Sequence, residues 1–438
     1  MPKSARRGGR RVNYSLYGGI VMKKAIVFAG GGSKGAYQIG VWKALNELGE
    51  QFDIATGTSI GAVNAAFYVQ HDFAAAEQMW QNLDASGVMV NGLNFEKSFE
   101  SIFAQREQLV SFIKTYVSKK GADVTPFLEG LKRYFDADAF FGSDIDYGLM
   151  TVKYPSFDPH EVTKAQMAEN RENAWEWIAA SAAAFPVFPA FEIDGQEYVD
   201  GGYFDNVPVA TALKLGAQRV TVIDLKTDRV HMGYIRHPWV RYIKPSKDLG
   251  TFLNFEKDAL AFSMKLGYND CMKEYGKYYG VNYTFEADDI DFDAVTRAAD
   301  EFTSLMTDTE ARFDFSYAVR VQRVNKLEGC SYILAELAHT EHPKTTDLFF
   351  AALECLLSRL GYDDNVNYKL GELLYTLKTR VDGLFPMLEY DTETAFEAVA
   401  RFFEPVKAEE VIRLKQHDKN RVNIIYMSLI RALQHCNF

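Results

Sequence analysis

Apolar and polar positions alternate along the chain in two rhythms. Residues 24–29 form a short β-prone run, followed by glycines and then by residues 36–48, where apolar side chains take helical spacing. The same order recurs at once: a strand at 52–56, a second glycine turn, and a helix at 60–69. Strand–turn–helix twice within about 45 residues predicts βαβ units and a mainly parallel sheet. Further strands are expected at 147–153, 197–200 and 219–225. Between them, Phe95, Phe99, Ile102, Phe103, Leu109, Phe112, Ile113 and Tyr116 mark one helical stripe across 94–117. Beyond about residue 282 the period is helical throughout, at 349–360, 368–381, 395–403 and 422–433. No heptad seam or fixed repeat supports a coiled coil or a solenoid.

This pattern predicts an α/β fold of three layers (α/β/α) over residues 22–282 and a C-terminal all-helical domain over 283–438. The 438 residues are 47% hydrophobic and 24% charged, an ordinary globular composition, and the length favours two domains. Residues 1–21 are basic and lack an apolar run, so they are expected to be disordered or absent from the native product, with Met22 as the start. No segment reaches membrane-span length. The longest nearly apolar stretch, 177–191, is broken by Ser181, Pro186 and Pro189, so the protein is expected to be soluble or at most peripheral at a membrane. Cys271, Cys330, Cys355 and Cys436 are too scattered for a zinc site or a disulfide framework, which favours a reducing, cytoplasmic setting. The net charge is −11, although residues 1–24 hold seven basic side chains and no acid. The acidic remainder argues against nucleic acid as a partner.

Three glycine-flanked segments bear on chemistry. Gly30-Gly31-Gly32-Ser33-Lys34-Gly35 lies between strand and helix, where backbone N–H groups can converge on an anion. Such a loop also suits a dinucleotide, but that requires an acid at the end of the next strand. Asp53 has the right separation yet opens its strand. Gly57-Thr58-Ser59-Ile60-Gly61 reads as a sharp strand-to-helix turn that presents Ser59. Asp200-Gly201-Gly202 closes the strand at 197–200 and puts a carboxylate on a tight turn.

Taken in order, these segments resemble the bacterial members of the patatin-like phospholipase family, whose motifs are a glycine-rich oxyanion loop, G-x-S-x-G and D-G-G/A. A fourth block, Ala-Ser followed by proline, is matched by Ala180-Ser181 and Pro186. The resemblance covers about residues 24–213, extends weakly to Lys244-Pro245-Ser246 and Gly267-Tyr268-Asn269-Asp270, and leaves the helical tail uncovered. Lys34 stands where the family usually has arginine, keeping the charge without the fork. What the resemblance implies is a metal-independent lipid acyl hydrolase without cofactor, acting through a Ser59–Asp200 dyad and an acyl-enzyme. The oxyanion would be held by N–H groups of Gly31, Gly32 and their neighbours.

Two other readings stay open: a Ser59–Asp200 triad completed by His231 or His237, and a catalytically inactive scaffold that binds lipids or partners. Trp175, Trp177, Phe185, Phe188 and Phe191 crowd the Ser181 block and are expected to line an acyl pocket for a phospholipid ester. The 95–116 stripe is a candidate cap, and Lys114, Lys119 and Lys120 candidate contacts for phosphate headgroups.

Overall fold

The computed structural model describes residues 16–17, 20–89, 122–227, 237–312, 329–340, 342–385 and 419–436. The expected helices at 94–117 and 395–403, the Lys114–Lys119–Lys120 group and His231 lie outside them, as does most of the 1–21 extension. From that extension, Leu16–Tyr17 pairs antiparallel with Ile20–Val21.

The chain divides into two compact units, Met1–Cys271 and Met272–Phe438. In the first, the strands are β1 (Lys24–Phe28), β2 (Ile54–Thr58), β3 (Asp146–Tyr154), β4 (Pro159–Thr163), β5 (Phe191–Ile193), β6 (Gln196–Asp200), β7 (Arg219–Ile223) and β8 (Val240–Ile243). They form one sheet in the order β8-β7-β1-β2-β3-β6-β5, with β4 paired to β3. β8, β7, β1, β2 and β3 run parallel, while β4, β6 and β5 add antiparallel ladders. Every residue of β2 and nearly all of β1 and β7 are buried, as parallel strands covered on both faces require.

The helices of this unit include α1 (Ala36–Glu47), α2 (Ile60–Val69), α3 (Phe73–Asn82), α4 (Thr125–Tyr134), α5 (Trp175–Ser181), α6 (Val209–Lys214) and α7, whose span Lys257–Glu274 runs past the unit's end. Successive side chains of β3 look to opposite faces. Tyr147 donates its hydroxyl to Ala62 O of α2 at 2.8 Å. A Cβ on Gly148 would meet Thr211 of α6 at 2.7 Å. Helices therefore cover both faces, and the three-layer α/β architecture with a mainly parallel sheet is the one the sequence pattern predicts.

The second unit packs α8 (Phe292–Arg312), α9 (Cys330–Leu337), α10 (Thr345–Arg359), α11 (Leu370–Leu384) and α12 (Lys419–His435) around Phe302, Phe349, Leu353, Leu374 and Ile430. It is not wholly helical. Tyr278–Tyr279, Thr284–Glu286 and Asn367–Lys369 form a small three-stranded sheet. The run at 368–381 thus opens as a strand, because Tyr368 pairs with Phe285 before the helix begins at Leu370. The break between the units falls before residue 282, since Tyr279 and Tyr283 pack into this second core. Among the described residues, no helix is long and apolar enough to cross a membrane.

Candidate functional site

β2 ends at Thr58, α2 begins at Ile60, and Ser59 between them is forced to φ 58°, ψ −131°. A non-glycine residue at positive φ stores about 1–3 kcal/mol of strain unless its surroundings hold it there. Here they do. Ser59 N–H donates to Ser181 Oγ (2.9 Å), and Ser181 Oγ–H donates to Met150 O of β3 (2.7 Å). Behind the turn, Thr58 Oγ1 donates to Asp205 O (2.9 Å), and Gly57 is the last residue but one of β2. Ile60 and Gly61 form the first turn of α2, so the positive end of the helix lies at Ser59.

Register brings the carboxylate to the same place. Thr58 pairs with Met150 and Asp200 with Thr151, so the ends of β2 and β6 converge on consecutive residues of β3. Gly201 must pass close to that strand: a Cβ there would lie 2.1 Å from Met150 O. Asp200 Oδ1 accepts the Gly202 N–H at 2.7 Å, and the Ser59 side chain lies close enough to the carboxylate to favour its ionised form. Asp200 is 8% exposed. Burial pushes its pKa up to about 6, against the opposing effect of Ser59 and of the Gly202 N–H.

The glycine loop follows β1 on the other side of Ser59. Its backbone amides divide into two groups. Gly30 N–H donates to Asn206 O (3.1 Å), Ser33 N–H to Phe252 O (2.8 Å) and Lys34 N–H to Gly31 O (3.3 Å). Among the described residues, nothing accepts the N–H of Gly31 or of Gly32. The loop is clamped from outside by Asn206, whose Nδ2 donates to Gly30 O at 3.0 Å, and by Ser33 Oγ, which donates to Thr251 O at 3.1 Å.

Beneath the loop lies a buried polar network. Gln38 Nε2 donates to Ala29 O (2.8 Å), and Asn64 Nδ2 donates to Gly35 O (3.1 Å) and Gln38 Oε1 (2.8 Å). Asn64 Oδ1 takes the Trp80 Nε1–H (3.0 Å), and all three side chains are fully buried. The network ties both ends of the loop to α1, α2 and α3. Asn64→Leu is expected to leave Trp80 Nε1 and Gln38 Oε1 unpaired and to cost about 3 kcal/mol. A lowered midpoint in urea checks this; an unchanged midpoint would mean that the network contributes nothing.

Gly30, Gly31, Gly32, Lys34, Ser59, Ile60 and Asp200 all border one cavity of about 870 Å³. Its remaining walls are mainly apolar, including Phe67, Leu83, Phe127, Tyr134, Phe188 and Phe252. Ser33, Gly35, Gly57, Thr58, Gly61, Gly201 and Gly202 stand behind this surface and shape it. Residues 26–213, which carry all of these motifs, match the family model of the patatin-like phospholipases. Residues 26–213 are a patatin-like phospholipase domain.

The relatives of this domain are large proteins. Human patatin-like phospholipase domain-containing protein 6 is 26% identical over 226 residues, 50% of this chain but 15% of that protein. Lysophospholipase NTE1 of Candida albicans is 25% identical over 211 residues, 48% of this chain and 14% of its own length. The chain thus spans about one seventh of the curated relatives it matches. With VipD from Legionella pneumophila it shares 12% identity at a TM-score of 0.39, covering 94% of this chain and 91% of that one.

Several expectations about the patatin-like site need correction. Of the five aromatics expected around an acyl pocket, only Phe188 lines the cavity. α5 turns Trp177 toward the sheet edge, where it clusters with Phe191, Ile193 and Tyr198. Phe185 packs on Tyr154, and Lys132 lies over the Trp175 ring. Asp53 accepts the Lys24 N–H at 2.8 Å, at the start of the strands, whereas the glycine loop follows their ends. Asp53 is therefore not placed to meet a dinucleotide ribose at the loop. His237 is stacked on Trp239 and is not part of the cavity wall. Among the described residues, no cluster of His, Cys, Asp or Glu could hold a metal ion.

Sequence reading missed Asn206, Asn64 and Gln38. Asn64 did carry a signal: it is the one polar residue in the ten-residue helix Ile60–Val69.

Proposed function

We propose that this chain is a lipid acyl hydrolase with Ser59 as nucleophile and Asp200 as the general base. The observation that carries this reading is the meeting of the Ser59 side chain and the buried Asp200 carboxylate at the wall of one apolar cavity. Among the described residues no imidazole stands between the two groups, so in this reading proton transfer is direct. Asp200 takes the hydroxyl proton as Ser59 Oγ attacks the ester carbonyl, and the oxyanion forms against the free amides of Gly31 and Gly32. Asp200 then returns the proton to the departing alcohol. Water, deprotonated by the same carboxylate, releases the acid from the acyl-enzyme.

The names of the relatives and the cavity wall support a phospholipid or lysophospholipid ester as substrate. Lys34, Arg133 and Lys226 border the cavity, and among the described residues none forms an ion pair. They suit an anionic headgroup, although the chain is acidic overall. Reaching such a substrate requires transient contact with a lipid surface. A fluorophosphonate probe is expected to label Ser59, with EDTA-resistant release of fatty acid from lysophosphatidylcholine or phosphatidylcholine vesicles. No labelling and no release would favour the binding-scaffold reading.

The pH profile follows from Asp200. Its carboxyl must be ionised to accept a proton, and its folded pKa is about 6. kcat/KM is expected to fall about tenfold per pH unit below that value and to level off above it. An acid limb near 4 would show that the ordinary carboxylate pKa survives in the site and that burial does not tune the base.

A further inference from the structure

The cavity has a direction. α2 supplies Ile60, Val63 and Phe67 to its wall, three positions on one helical face, beginning right after Ser59. α4 supplies Phe127, Leu131 and Tyr134, again one face. Phe127 packs against Phe188, whose segment follows Ser181, with ring centroids 5.9 Å apart. At the other end of α4, the Tyr134 and Phe67 rings lie 5.7 Å apart, tilted by 58°. With a rise of about 1.5 Å per residue, Phe67 sits ~12 Å along the helix from Ser59. Behind this pair, Gln70 donates to Tyr134 O (3.2 Å) and accepts the Asp136 N–H (2.7 Å), tying the two helix ends together.

We propose that this channel is the acyl site and that the Phe67–Tyr134 pair is its end wall, so that medium-length acyl chains are preferred over long ones. The inference rests on Ser59 being the nucleophile. A chain bound to Ser59 runs along the apolar face of α2 with its methyl end toward Phe67. Each methylene added before the wall is removed from water and is expected to raise kcat/KM roughly fourfold. Once the wall is reached, further methylenes must fold back or push two aromatic rings aside in a packed interior, and the gain reverses.

The test is a chain-length profile on 4-nitrophenyl acetate, butanoate, octanoate, decanoate and palmitate in one fixed detergent, for wild type and three variants. Wild type is expected to peak at octanoate or decanoate. Phe67→Ala and Tyr134→Ala should each raise the palmitate-to-octanoate ratio at least tenfold. Tyr134 is only half-buried, so its variant keeps the test readable should Phe67→Ala not fold. Val63→Phe puts bulk one turn nearer Ser59 and should lower the octanoate-to-acetate ratio by a similar factor. A wild-type profile still rising at palmitate, or ratios unmoved in both alanine variants, would overturn the wall while leaving Ser59 as nucleophile. Hydrolysis that persists in Ser59→Ala, or no hydrolysis of any ester, would overturn the nucleophile assignment and the channel with it.

Discussion

Asp200→Asn is expected to lower kcat/KM on any ester by about three to four orders of magnitude, and Ser59→Ala by at least as much. The amide keeps the size of the carboxyl and still accepts the Gly202 N–H, so the turn survives while the base is lost. Because the two side chains act as one unit, the double variant should be little worse than Ser59→Ala alone. A distinct readout separates loss of the base from loss of the fold. Asp200 has its pKa raised from 3.8 to about 6, so the folded state holds that proton more tightly than the unfolded chain. The resulting penalty is absent below pH 4, grows between 4 and 6, and is complete above 6, at about 3 kcal/mol. Asp200→Asn should therefore be more stable than wild type at pH 8 by up to that amount, with the gain shrinking to a small fraction near pH 4. Denaturant melts at the two pH values measure it. A variant that is inactive and also less stable at pH 8 would point to a structural role for the carboxylate.

The second large effect is expected from Gly32→Ala. Gly32 has φ +59°, and a Cβ there would lie 2.1 Å from the carbonyl oxygen of Phe252. That oxygen also accepts the Ser33 N–H, so it cannot retreat without releasing the loop. The substitution should turn the Gly32 amide away from the reacting oxygen and lower kcat by about 10²–10³-fold, the usual loss for one oxyanion donor. Gly31→Ala supplies the control. Gly31 has φ 167°, which any residue adopts, and its Cβ would meet the Leu225 side chain rather than backbone, nearest at Cδ1 (2.8 Å) and next at Cβ (3.3 Å). Its loss should be clearly smaller. Equal activity in Gly32→Ala and wild type would remove the loop from the mechanism.

Local chemistry made much of this molecule legible in its sequence. The helix at 60–69 has the predicted bounds, and β1, β2, β3, β6 and β7 fall within two residues of the expected strands. These elements announce themselves by short apolar runs bounded by glycine. β4 and β8 do not: Pro159–Thr163 contains Pro159, His160 and Glu161, and Val240–Ile243 contains Arg241, so pairing rather than propensity makes them strands. The glycine loop, Ser59 and Asp200 could be read because backbone strain and close approach demand particular residues. The residues of the cavity wall could not. Aromatic density near Ser181 suggested Trp177 and Phe191, but facing of a helix toward the sheet edge is decided by tertiary packing. Asn206 clamps Gly30 across 176 residues of chain, and no local pattern records such a contact.

The positive φ of Ser59 also bears on how this site can change in evolution. An unbranched side chain tolerates φ 58°, whereas a β-branched one there is a true outlier. The turn could exchange its hydroxyl for a thiol by a single substitution, Ser59→Cys, and keep its backbone. Threonine carries the same functional group as serine, yet it would have to unwind the turn that presents it. At this turn the shape of one peptide unit narrows the choice of side chain, whatever the reactivity of the group it carries.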